Sequence, residues 1–369
     1  MFKDLSRRRF LAGSTAAAGA LSLGGALGGP LGAGSALAAD PLKVGFVYVG
    51  PIGDFGWTHG HDLGRKAIEE HFGDAVKTSY VESVPDDGPD AERVIRQFAS
   101  SGHNLIFTTS FGYMDPTIKV ARQFPDVKFE HATGIQTADN VSIYSARFYE
   151  GRAVIGTMAG HLTKTGKFGY IASFPIPEVV RGINAFILAA RKVRPDAEIK
   201  VVWVNSWYDP GKEADATKAL IDQGCDVITQ HTDSPAPVQT AASRGVWCFG
   251  QASDMTNFAP DWHATSILDV WGPYYIQRTQ AVIDGTWSTA ATWDGFKQGM
   301  VEMAPYNPKL PAEVVEAAES VRKAIIAGDL HPFTGPISDQ KGMEMVPAGQ
   351  TIPDQDLLGM DWYVEGVSA

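Results

Sequence analysis

Between Leu42 and Leu268 the chain repeats one unit: a short apolar run rich in β-branched residues, a turn, then a helical pattern of about ten to fifteen residues. That alternation leaves few architectures, because strands separated by helices must lie parallel in sheets covered on both faces. The runs fall at 43–49, 77–81, 104–109, 128–131 and 141–145, then at 167–171, 199–204, 227–230, 246–250 and 263–267. Between these two groups of five, residues 148–162 carry Ala153, Ile155, Met158, Ala159 and Leu162, a pattern that suits a helix passing from one domain to the other. The expected fold is α/β, two doubly wound parallel-sheet lobes joined by a hinge. One lobe takes 39–162 plus about 270–295; the other takes 163–269 plus about 296–369 with a tail packed on the junction. Late helices are expected over 277–283, begun near Val270, and over 311–327.

Residues 1–38 read as a leader. Ser6-Arg7-Arg8-Arg9-Phe10-Leu11 is a twin-arginine motif, followed by a weakly apolar Ala/Gly/Leu stretch and the small-residue cleavage site Ala36-Leu37-Ala38. Glycines interrupt the apolar run, so a removable export signal fits better than a membrane span. Neither cysteine lies near the cleavage site, so lipid attachment is not expected. The expected product is periplasmic and soluble, beginning at Ala39.

Twin-arginine export often carries cofactor-loaded redox enzymes, but Cys225 and Cys248 are the only cysteines and make no haem or iron–sulfur spacing. No cofactor is expected, and both thiols read as unpaired residues at the edges of apolar runs. Of 31 Lys and Arg and 42 Asp and Glu, the leader holds four basic residues and one acidic residue, leaving 27 against 41 and a formal net charge of −14. Such a surface does not suit nucleic acid and keeps a monomer dispersed.

Ligands of open α/β sheets sit outside the carboxyl ends of the strands. There the chain places Gly50-Pro51-Ile52-Gly53-Asp54-Phe55-Gly56-Trp57, then Phe111-Gly112-Tyr113-Met114-Asp115, Trp207-Tyr208-Asp209, Asp233 and Asp254. Flat rings with a few acceptors describe a site for a planar or ring-shaped polar solute. Taken singly, each has an ordinary explanation: Asp115 as a helix cap, Asp209 as a turn former before Pro210-Gly211, Asp254 as an exposed loop acid, Trp57 as core. Their coincidence at one edge is the signal.

His59-Gly60-His61 invites a metal reading, but in a helix residues two apart point about 200° apart and cannot share an ion. No nucleophile elbow, phosphate-binding loop or dinucleotide fingerprint is present. No catalytic or metal-binding residue is assigned.

Residues 44–64, 111–127, Glu150-Gly151, 202–212, 245–254 and the segment 335–342 resemble the BMP family of substrate-binding proteins, the basic-membrane-protein or purine-nucleoside-receptor type partners of ABC transporters. The resemblance covers essentially the whole chain after the leader. It implies a type I periplasmic-binding-protein fold closing on a purine, with an ABC permease at the inner membrane as partner. It places a base-stacking role on Trp57, where a phenylalanine usually stands, and a second on Trp207, with acidic positions at Asp54, Asp115 and Asp254. Two departures, Thr58 for an asparagine and Ala252 for an aspartate, remove polar reach, so a free nucleobase such as adenine becomes a candidate beside a nucleoside. The expected ligand-binding set is Asp54, Phe55, Trp57, Thr58, Tyr113, Asp115, Trp207, Asp233 and Asp254. A receptor for a sugar or other small polar solute, and an exported metal-dependent hydrolase using His59 and His61, are the rivals.

Overall fold

Apolar side chains on both faces make central strands of the short runs: Val44, Phe46, Leu105, Ile106, Phe107, Phe168, Ile171, Val227 and Ile228 are all fully buried. The computed structural model describes residues 40–86 and 88–369; the leader, with its twin-arginine motif and cleavage site, lies outside them. In chain order come β1 (Leu42–Val47), α1 (Gly56–Phe72), β2 (Val76–Val81), α2 (Pro89–Ser100), β3 (Leu105–Thr108), α3 (Met114–Ala121), β4 (Lys128–Ala132) and β5 (Val141–Ala146). The second series is α4 (Phe148–Leu162), β6 (Lys167–Ala172), α5 (Pro177–Val193), β7 (Glu198–Trp203), α6 (Pro210–Asp222), β8 (Val227–His231), α7 (Ala236–Ser243), β9 (Trp247–Gly250) and β10 (His263–Asp269). Then follow α8 (Gly272–Ile283), β11 (Ala291–Asp294), β12 (Val301–Met303), α9 (Ala312–Ala327), β13 (Ile337–Ser338), β14 (Glu344–Val346), α10 (Asp354–Leu358) and β15 (Val367–Ser368).

The first sheet runs β11-β5-β4-β3-β1-β2 and the second β12-β10-β9-β8-β6-β7-β15. Within the first five strands of each series the spatial order is the same, 2-1-3-4-5, with parallel pairing throughout. Each sheet therefore has a switch point, β1/β3 and β6/β8, where the connections turn to opposite faces and a crevice opens at the carboxyl ends. The chain passes between the sheets three times: from β5 into α4, from β10 into α8, and from β11 to β12. The last of these strands pairs antiparallel with β10.

Helix chemistry follows the same logic. In α2 the buried residues Ala91, Val94, Ile95, Phe98 and Ala99 recur at helical spacing behind Pro89 at the first turn. Helix α4 meets α5 through glycines: a Cβ on Gly156 would lie 2.2 Å from the Phe186 carbonyl oxygen, and one on Gly160 2.8 Å from that of Ala190. That contact fastens α4 to the second sheet, while α8 returns to pack on α1. Cys225 and Cys248 are both buried and unpaired in the hydrophobic cluster under α6 and α7.

Candidate functional site

A narrow cavity lies between the two sheets, and its wall is assembled from the carboxyl ends of their strands. Val49 and Trp57 follow β1, Ser110 and Phe111 follow β3, and Thr133 follows β4. From the other side Glu178 follows β6, Trp207 follows β7, His231 and Asp233 end and follow β8, and Gln251 follows β9.

Both indoles are held. Trp57 Nε1 donates to the Thr109 carbonyl oxygen at 2.6 Å, and its ring meets His61 edge-on at 4.4 Å and Trp271 at 5.6 Å. Trp207 leans on Phe174 at 5.3 Å, and its carbonyl accepts from the Asp233 backbone amide at 2.9 Å. Buried Glu213 ties that loop together, accepting from the Asp209 amide at 2.9 Å and from the Ser234 hydroxyl at 2.6 Å. Asp209 itself caps α6, accepting from the Lys212 amide at 3.0 Å.

Two buried guanidinium groups, Arg152 and Arg181, lie near the acidic groups of this wall. The Asp233 carboxyl is pushed up to about 8, first by burial and then by neighbouring Glu213, with the Trp57 backbone amide opposing. Asp269 is held well above the carboxylate range, first by burial and then by Glu178, against the pull of Arg152. Arg152, fully buried, donates to Gln251 Oε1 and to Thr229 Oγ1 (3.2 Å) and lies over the Tyr170 ring at 5.3 Å. Its Nε and both Asp269 oxygens have no hydrogen-bond partner among the described residues. Fixed acceptors and donors of this kind can orient a polar ring.

Of the residues expected from the sequence, Trp57, Trp207 and Asp233 line this cavity. Phe55 instead crosses to the second lobe, edge-on to Phe258 at 5.3 Å and parallel to Tyr208 at 6.5 Å. Thr58 Oγ1 accepts from the Gly50 amide at 3.2 Å, which braces the first loop. Tyr113 is fully buried and donates to the Val84 carbonyl at 2.5 Å. Asp54 and Asp254 are exposed on a separate groove between α1 and the end of β10, where Asp254 accepts from the Thr256 amide at 2.9 Å. Asp115 is exposed in the first turn of α3. His59 and His61 both fall on α1: His59 Nδ1 is 3.1 Å from the Gly53 carbonyl oxygen, whereas His61 is fully buried with Nδ1 2.5 Å from the Tyr275 hydroxyl.

Glu178, His231 and Gln251 were not anticipated, and Phe111, named among the strand-end rings, was not in the expected ligand-binding set. Glu178 had a signal, since it follows β6 as Asp54 follows β1, but after Pro177 an acid reads as an ordinary first-turn charge. Phe111 occupies a 3₁₀ turn over 111–113 that sends Tyr113 inward and leaves Phe111 at the cavity.

Comparison with known proteins gives the family and the fold. Residues 42–331 match the family model described as ABC transporter substrate-binding protein PnrA-like. A purine-binding protein of Brucella abortus (strain 2308) is 59% identical over 334 residues, covering 90% of this chain and 95% of its own. A putative ABC transporter glucose-binding protein of Haloferax volcanii is 40% identical, covering 80% of this chain and 75% of its own. An ABC transporter solute-binding protein from Aeropyrum pernix K1 shares the fold with a TM-score of 0.67 at 21% identity, over 86% of this chain and 95% of that one. The chain belongs to the Bmp family of PnrA-like ABC transporter substrate-binding proteins.

Proposed function

We propose that the protein is an exported, monomeric periplasmic receptor that binds a purine nucleobase or nucleoside between its lobes and presents it to an ABC permease. The observation that carries this reading is the pair of indoles, Trp57 after β1 and Trp207 after β7, lining one cavity whose polar wall carries two carboxyls, an imidazole, an amide and two hydroxyls. Aromatic faces bind any base by stacking, while the polar edge fixes orientation. The 59% identical relative described as purine-binding supports the ligand class.

Two departures from the family pattern, neither of them on the cavity wall, motivate the free base as the candidate. Thr58 spends its hydroxyl oxygen on the Gly50 amide, and Ala252, buried at φ +63°, brings no polar group. Calorimetry with adenine, adenosine and glucose tests the reading. Adenine is expected to bind at least as tightly as adenosine, and glucose not at all; glucose binding without either purine would establish the sugar reading that the 40% identical relative represents.

A further inference from the structure

Glu178 sits in the first turn of α5, directly after Pro177, where unpaired backbone N–H groups favour a negative side chain. Its side chain is 11% exposed and reaches the cavity wall. His231 Nε2 lies 3.4 Å from Glu178 Oε1, and burial lowers the imidazole pKa, so the ring is neutral and a proton on Nε2 sets an N–H facing that oxygen. Glu178 is thereby oriented with a second oxygen left to accept. Gln251 offers the complement: its carbonyl oxygen is committed to Arg152, so its NH₂ is the group it has for a ligand. Asp233, pushed up to about 8, also carries a proton to donate at neutral pH. The polar wall thus pairs one firm acceptor with two donors. A 6-aminopurine presents the counterpart, one amino donor flanked by two ring-nitrogen acceptors. Its 6-oxo analogue sets a carbonyl oxygen where the amine would be.

Resting on the purine reading above, we propose that Glu178 determines specificity, accepting a hydrogen bond from the exocyclic amine of the bound ring and repelling a carbonyl oxygen there, so that aminopurines are selected over oxopurines. A site built around a buried acceptor discriminates chiefly through the repulsion and unpaired groups that the wrong ligand creates. Calorimetry at pH 7 with adenine, 6-methylpurine and hypoxanthine on the wild-type protein tests it without any variant. The expected order is adenine tightest, 6-methylpurine weaker and hypoxanthine weakest, with at least a tenfold gap between the first and last. Glu178→Gln, which keeps the shape and adds a donor, should shrink the adenine-to-hypoxanthine ratio to less than threefold or invert it, with the ligand-free melting temperature confirming that the variant is folded. Hypoxanthine binding as tightly as adenine, or an unchanged ratio in folded Glu178→Gln, overturns the role of Glu178 and leaves the purine reading standing. Failure of all three purines to bind overturns the purine reading and this inference with it.

Discussion

The backbone amide of Gly56 donates to the Ser253 hydroxyl at 2.6 Å, joining the head of α1 to the loop after β9 across the cleft. Gly56 stands at φ +79°, and a Cβ there would lie 2.6 Å from the Asp233 carbonyl oxygen, so only glycine lets the lobes come this close. Gly56→Ala should hold the lobes apart, weakening ligand affinity at least tenfold, or about 1.4 kcal/mol. Small-angle scattering with saturating ligand should show a larger radius of gyration than wild type. An affinity within threefold of wild type would mean that the loop yields and that the contact does not limit closure.

Trp57→Ala and Trp207→Ala should each weaken binding by roughly five- to more than a hundred-fold, the range that follows from about 1–3 kcal/mol per stacked base. Phenylalanine at 207 should retain most of the affinity. At 57 it should also keep the stack but lose the bond to the Thr109 carbonyl, costing about 1 kcal/mol of ligand-free stability. If both indoles are only core, alanine lowers the melting temperature and leaves affinity unchanged.

Asp233 supplies a pH dependence with a definite sign. Its carboxyl is raised from 3.8 to about 8 in the folded protein. Between those values the folded state holds a proton that the unfolded chain has released. The stability it contributes is therefore complete below the unfolded value and is lost as pH rises through about 8. Ligand-free Asp233→Asn, which cannot titrate, should lose fewer degrees of melting temperature than wild type between pH 5 and pH 8.5. Parallel melting-temperature profiles for the two proteins would remove Asp233 as the source.

Export is tested outside the described residues. Arg7 and Arg8 replaced together by lysine should leave full-length precursor in the cytoplasm on fractionation and immunoblotting, whereas undiminished export would exclude the twin-arginine route.

The central strands of the two main series, such as β1, β3, β6 and β8, were legible because they are apolar on both faces, while the more exposed β2 and β7 were legible from their place in the strand–helix alternation. Strands β11 and β12 were not, since Ala291-Thr292-Trp293-Asp294 and Val301-Glu302-Met303 are too short and too mixed to stand out. They exist because an edge of each sheet is open to receive them. At the site, strand-end position identified Trp57, Trp207 and Asp233, yet it could not separate Asp233 from Asp54 or Asp254. That choice depends on which way a loop folds after its strand: Asp233 is turned inward by the Trp207 carbonyl and Glu213, while Asp254 turns back on Thr256. Glu178 and His231 come together only when α5 and β8 are placed side by side, a juxtaposition across fifty residues that no local pattern encodes.

The threefold passage of the chain between the sheets has a consequence for how the molecule is made. The outer face of β5 remains an unpaired edge until Ala291–Asp294 arrives, and the edge of β7 waits for Val367–Ser368 at the very end. The first sheet therefore cannot take its edge strand until all five main strands of the second have been made. While the intervening chain is being made, these edges stay open to pairing with a neighbour. A translocation route that accepts cargo already folded would spare it from crossing the membrane with those edges bare.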